Sequence, residues 1–391
     1  MTARARGPER SRPIGAPGAA TLAVAVVLVA GGLVAGWLEL VVPGLALLAL
    51  LVTGALMTIG RSAYDVRVDL TRSKVRVGER AIGRIVVLAT GSRRSAPSLL
   101  TLPVGANAAD FELPGLSPGQ EFDESFIVPT ARRGVVRVGP VVSRRGDPLG
   151  LLRRTVTWTE QETIHVHPRT VRLPLLESGR LRDLEGDASG DIADSGLSFH
   201  ALREYVPGDD RRSVHWRASA RLGNLMVRQY DDLRRTRLAI GLALDEWEYA
   251  SAAEFELAVS AFASLGVAAV RGGTLDGVFA GTTTLGRPGE ERLLDAGAAV
   301  AWGDGGGLSD VLRGIRDRAA TATAIVVITG SRVERRTVFS LASRFGHPAP
   351  VTVLACEEGV AVRAAAQGAT AYRTLGRLTD LPLALASGGA R

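Results

Sequence analysis

The chain has 391 residues, 46% of them hydrophobic, which excludes disorder as a whole and leaves room for two or more domains with cores of their own. Its formal net charge is +7, yet Lys74 is the single lysine and every other cationic side chain is arginine. With 5% aromatics and no basic stripe interleaved with Phe or Tyr, nucleic acid is excluded as a partner.

Residues 1–18 are polar and rich in Pro and Gly, with Arg4, Arg6, Arg10 and Arg12 against Glu9 alone, and are expected to be a disordered basic tail. Runs 19–38 and 40–59 are uncharged and apolar, each near the ~20 residues that cross a bilayer as helix. Residues 19–60 are therefore expected to enter the lipid bilayer as a hairpin of two transmembrane helices joined at Glu39. Pro43-Gly44 either bends the second helix or belongs to the connection. A cleaved signal peptide is disfavoured, because no small-residue cleavage site leads into a polar mature start. Arginines precede the first span, and Arg61, Arg67, Arg72 and Lys74 follow the second, so both termini are expected on the cytoplasmic side of the cell membrane.

From 64 to 173 the period changes to two: 64–70, 82–88, 122–128, 135–142 and 164–166 alternate, with Gly, Pro, Ser or Asp at the breaks. Short strands at this spacing predict a β-sandwich-like domain. His165 and His167 would share a strand face, but no third ligand is near, so zinc is not expected. Residues 174–196 are polar and read as a linker.

Residues 197–235 pack charge and turn chemistry together. Pro207-Gly208 fits a tight turn. Asp209 and Asp210 suit the start of a helix near Arg211, Gly223-Asn224 suits its left-handed stop, and 225–230 reads as a strand. Arg203, Glu204, Tyr205, Asp209, Asp210, Arg212, Trp216, Arg217 and Arg221 are the candidate interaction residues. Two roles stand: an ion-pair network stapling two domains, or a docking surface or anion site.

This stretch carries a resemblance. Leu202-Arg203-Glu204-Tyr205, Pro207-Gly208-Asp209-Asp210, Arg212, Trp216 and Ser219-Ala220-Arg221 resemble the signature of the bacterial family known as domain of unknown function 58, with His215 where many members have an acidic residue. Arg132-Arg133-Gly134, Val138-Gly139-Pro140, Asp147-Pro148-Leu149-Gly150-Leu151 and His167-Pro168-Arg169 resemble its upstream region, although turn chemistry alone also explains them. The resemblance implies a MoxR-type AAA+ ATPase as partner and, in some lineages, a membrane transglutaminase-like protein.

Beyond Tyr230 strand and helix alternate: strands at 237–244, 274–280, 324–329 and 351–356, helices at 250–265, 290–301, 308–320 and 333–345. This predicts a mostly parallel, doubly wound sheet over 236–375 followed by a tail at 376–391, with Asp245 and Thr329 at carboxyl strand ends, where such sheets bind ligands. The single cysteine, Cys356, lies in the last of these strands and reads as a small hydrophobe. By order and position this half resembles a von Willebrand factor type A domain, which implies an Asp-x-Ser-x-Ser run, a threonine and a later aspartate around Mg²⁺. Here Asp245 alone matches: Trp247 and Tyr249 stand at the serine positions and Gly330 where the aspartate is expected. Neither a metal nor a cofactor is expected, although Glu246 and Glu248 would offer oxygens in another geometry.

No Walker A run, Gly-x-Ser-x-Gly or His-Glu-x-x-His occurs, and the glycines at 303–307 follow a helical pattern and read as a flexible loop. The expected function is that of a membrane-anchored, non-enzymatic interaction or scaffold protein working with the AAA+ ATPase in assembly or maturation of client complexes. The alternative is an envelope-related hydrolase using Asp209, Asp210 and Asp245.

Overall fold

The computed structural model describes residues 5–10, 16–58, 63–146, 149–177, 198–206, 214–231 and 236–386. It divides into two units, Met1–His167 and Pro168–Arg391.

The first unit opens with β1 (Ala5–Arg10), α1 (Ala16–Ala35) and α2 (Leu38–Thr58). Both helices are long and apolar enough to cross a membrane. They begin two or three residues earlier than their apolar runs, so Glu39 falls in the first turn of α2 and the connection is Gly36-Trp37. Gly36 supplies the positive φ of 69° that the reversal needs. Pro43 lies inside α2, and Gly44 brings α2 against α1: a Cβ there would sit 2.7 Å from Val29 Cγ2 and 3.1 Å from the Ala25 carbonyl oxygen. Small residues allow such approach in lipid, where van der Waals packing carries helix association. Val27, Val34 and Leu56 remain exposed on the outside of the pair, as side chains that meet lipid would. The helix Ala252–Arg271 of the second unit also meets the length and composition of a span, but it is mostly buried, so its apolar surface serves a protein core.

Ten strands follow: β2 (Tyr64–Leu70), β3 (Lys74–Arg76), β4 (Ala81–Ala89), β5 (Ser98–Val104), β6 (Asn107–Leu113), β7 (Glu121–Val128), β8 (Gly134–Val138), β9 (Val142–Gly146), β10 (Arg153–Thr159) and β11 (Glu162–His167). β2, β4 and β7 form one sheet, and the other runs β1-β10-β9-β5-β8-β11-β3 with β6 on β5. Burial alternates along β2 and β4, as their period of two requires. Val66, Ile85 and Val87 of one sheet share a core with Leu100, Leu102, Trp158 and Ile164 of the other. The run expected over 135–142 is two strands, β8 and β9, with Gly139 and Pro140 in the break between them.

Two expectations need correction here. Residues 5–10, expected as disordered tail, pair antiparallel with β10, Arg10 opposite Val156. The pairing is made by backbone groups, so a mostly polar composition, with Ala5 followed by Arg, Gly, Pro and Glu, gave no sign of it. Residues 168–173, expected in the β domain, belong to the second unit: Leu173 lies in that unit's core and the Val171 amide donates to Ser264 Oγ at 3.0 Å.

The second unit holds α3 (Pro174–Glu177), which occupies the start of the expected linker; the remainder of that linker lies outside the described residues. Next come β12 (Ser198–Glu204), α4 (Trp216–Leu222) and β13 (Met226–Asp231). The α/β layers follow as β14 (Leu238–Leu242), α5 (Ala252–Arg271), β15 (Leu275–Ala280), β16 (Thr283–Gly286), α6 (Glu290–Ala299), α7 (Leu308–Arg318), β17 (Ala324–Gly330), α8 (Arg335–Phe345), β18 (Val351–Cys356), β19 (Ala364–Gln367), β20 (Thr370–Leu375) and α9 (Leu381–Ala386).

The sheet order is β16-β15-β14-β17-β18-β20-β19. Its five inner strands are parallel and its two outer ones antiparallel. β17 and β18 are buried at every position because helices cover both faces, which is why they read as unbroken apolar runs. α5, α6 and α9 share one core with the sheet, and α7 and α8 share the other. α9 shows that the expected tail belongs to the fold: Leu381, Ala384 and Leu385 are buried, and the buried Arg373 guanidinium donates to the Ala384 and Leu385 carbonyls at 2.5 and 2.7 Å. A cation is favourable at a helix C-terminus, where carbonyl oxygens lack intrahelical donors.

Candidate functional site

β12 and β13 form a hairpin in which Leu202 faces Arg228 and Glu204 faces Met226. The Tyr205 amide donates to the Leu225 carbonyl at 2.8 Å, and the His215 amide donates to the Met226 carbonyl at 2.7 Å. Val214 bridges to Val227 and is extended. The helix therefore starts at Trp216, five residues later than expected near Arg211. Its N-cap is His215, whose Nδ1 accepts from the Ala218 amide at 3.1 Å. An acidic side chain at this position would accept the same bond, so the geometry at 215 suits a carboxylate as well as an imidazole. Gly223 closes the helix at φ 75°, as the Gly-Asn pair predicts.

α4 buries none of its residues. Trp216 is 67% exposed, and Leu222 at 63%, Val206 at 56% and Leu225 at 45% add apolar surface to the same hairpin. Arg217 and Arg221 are exposed on α4; Tyr205 is half-buried. The exposed Glu204 carboxylate accepts from Asn224 Nδ2 at 3.1 Å. Arg203 is opposite Val227 in the ladder. Asp209, Asp210, Arg212 and the Pro207-Gly208 turn lie outside the described residues. The sequence reading missed Val206, Leu222 and Leu225, since an apolar residue beside a short helix reads equally well as core.

The second place of interest is the carboxyl edge of the sheet. Asp245 Oδ1 accepts from the Trp247 amide at 3.1 Å and caps a single turn, Glu246–Glu248. The two aromatics at the serine positions part company: Trp247 is 73% exposed, whereas Tyr249 is fully buried and its hydroxyl donates to the Ala243 carbonyl at 2.7 Å. Glu248 turns inward, its Oε1 accepting from the Leu308 amide at the start of α7 at 2.6 Å. Burial pushes its carboxyl above the ordinary range; the hydrogen bonds from Thr329 and Leu308 oppose this, and the charges of Asp245 and Asp310 add to it. Ser331 Oγ donates to the buried Glu254 carboxylate at 2.9 Å.

Gly330 has a steric reason to be glycine, since a Cβ there would lie 2.2 Å from the Glu248 carbonyl oxygen. An aspartate does not fit where a metal-holding one is expected. Among the described residues no three His, Cys, Asp or Glu side chains are grouped to hold a metal. The glycine loop expected to be flexible is hydrogen-bonded to Leu244 from both sides, through Gly303 N and Gly306 O. Cys356 is buried and its thiol is pushed up by burial, the reverse of what a nucleophile needs.

Residues 201–291, which begin in this hairpin, match the model of a family described as "Protein of unknown function DUF58". The chain carries the DUF58 segment. A curated relative, described as "Uncharacterized protein YeaD" from Bacillus subtilis (strain 168), is 30% identical over 142 residues, which is 36% of this chain and 34% of that protein. The match thus spans about a third of the relative's length. Among solved structures, the CARDB domain of a Pyrococcus furiosus protein aligns with 27% of this chain and 88% of its own at 13% identity and a TM-score of 0.21. The sporulation control protein Spo0M of Bacillus subtilis aligns with 27% of this chain and 50% of its own at 21% identity and a TM-score of 0.17. At such scores the likenesses bear on neither the fold nor the activity of this chain.

Proposed function

We propose that this protein is a membrane-anchored, non-enzymatic scaffold whose DUF58 hairpin docks a protein partner, with a MoxR-type AAA+ ATPase as the partner and a transglutaminase-like membrane protein as a second associate. The observation that carries the reading is the exposure of Trp216, at 67%, on a helix that buries nothing. A staple between domains would bury that ring. Exposed Trp beside Arg217 and Arg221 has the composition of residues whose loss costs most at interfaces.

Three features support the setting. The pairing of β1 with β10 joins residues before and after the α1–α2 hairpin, which favours both ends of the hairpin on one face of the bilayer. The sheet order, with β16 as an antiparallel edge and Asp245 at a strand end, supports a von Willebrand factor type A-like domain. Two sheets around one core support a β-sandwich-like domain before it.

The test uses the full chain in detergent and a purified MoxR-type ATPase from the same organism. Trp216→Ala and Arg217→Ala should leave melting nearly unchanged, since exposed substitutions stay within ~0.5 kcal/mol, and should weaken capture of the ATPase. Folded variants that capture it in full would overturn the docking reading.

A further inference from the structure

The two helical layers of the α/β unit differ in charge. On one side α7 and α8 present Arg313, Arg316, Arg318, Arg335, Arg336 and Arg344, all exposed. Against them stand only Asp310 and Asp317 within these helices, paired with Arg313 at 2.8 Å and Arg316 at 3.2 Å. α8 itself has no acidic residue. On the other side α5 and α6 carry five carboxylates and two arginines. α7 and α8 share one core, so their exposed arginines lie on the same side of the sheet and outnumber the acidic residues there, Asp310, Asp317 and the exposed N-cap Glu334. Arg336, Ser340 and Arg344 follow one another at intervals of four and line one ridge of α8.

We propose that the α7–α8 layer docks on an anionic lipid surface. The occupant follows from charge and from tethering. Arginines near an anionic leaflet are attracted within a Debye length, and anionic lipids are enriched on the side where positively charged flanks reside. The same chain carries two helices long and apolar enough to cross a membrane, so the bilayer is present at high effective concentration and a weak contact suffices. A nucleic acid would meet the same arginines, but none of the large exposed apolar or aromatic side chains lies on α7 or α8, so the layer offers no platform on which bases stack. This inference rests on the membrane-anchor reading and is independent of the ATPase.

The test places an environment-sensitive dye on Ser340→Cys in the full chain. The native Cys356 is fully buried and does not compete for the label. The chain is reconstituted into nanodiscs of neutral lipid and into nanodiscs with anionic lipid added. Co-elution with both kinds of disc reads the hairpin separately; failure there overturns the anchor. With the chain anchored in both, the dye should be shielded from a neutral aqueous quencher only in anionic discs. Shielding should vanish at about 1 M salt, where the Debye length is ~3 Å, and in the Arg336→Glu/Arg344→Glu variant. Arg292→Glu on the opposite layer should leave it intact. Equal exposure in both discs, or shielding that ignores salt and the charge reversal, overturns the proposal.

Discussion

Thr329 Oγ1 donates to Glu248 Oε2 at 2.5 Å, tying the end of β17 to the turn that follows β14. With the Leu308 amide on its other oxygen, the Glu248 carboxyl closes the strand ends against α7 from inside the chain. Because burial raises its folded pKa above the ordinary 4.5, the folded state binds the proton more tightly than the unfolded one. Its contribution to stability is therefore full below the unfolded value and is lost as pH rises through the folded one. Glu248→Gln keeps the shape without the charge. It should flatten the pH dependence of melting above the unfolded carboxylate value, gaining on the parent chain as pH rises; an unchanged slope would refute the assignment.

Tyr249→Phe removes the buried hydroxyl and leaves the Ala243 carbonyl without that donor. Leaving a buried acceptor unpaired costs about 1–3 kcal/mol. Chemical denaturation should show a loss of this size, and addition of Mg²⁺ should not restore it.

Arg373→Leu should free α9 while the rest of the sheet stays folded, because two carbonyls of the helix end lose a buried donor. Hydrogen exchange should quicken in 381–386 well before it does in β17 or β18. Uniform exchange across the unit would mean that Arg373 supports the sheet as a whole.

His215→Ala deletes the cap of α4 and should cost about 0.5–2 kcal/mol of local stability, whereas His215→Asp should match or exceed the parent. Fluorescence of Trp216 across a denaturant series would follow both. An Asp variant as unstable as the Ala variant would exclude the capping role.

A reporter fused after Arg391 should be active in the cytoplasm, and one inserted at Gly36-Trp37 should report the outside. An external signal from the C-terminal fusion would reverse the proposed orientation.

Periodicity made most of the α/β unit legible, because strands covered on both faces and helices with one apolar stripe leave plain patterns. β16, β19 and β20 were missed: they are short or half-exposed and lack that apolar continuity. In the first unit β2, β4 and β7 alternate and were found, while β5 carries Pro103 and adjacent leucines that blur a period of two. At the site, the signature residues were visible by their rarity. The inward turn of Glu248 was not, since a carboxylate next to a strand end gives no sign of whether it faces solvent or a helix N-terminus.

The strand before the hairpin also changes how the protein can be handled. β10 has β9 on one side and β1 on the other, so removing 1–60 to obtain a soluble fragment would strip one flank of β10 and leave a row of unpaired amides and carbonyls. Such a row is a template for another chain. A fragment of that kind should self-associate, and replacing α1 and α2 with a flexible polar linker while keeping Ala5–Arg10 should yield the better-behaved monomer.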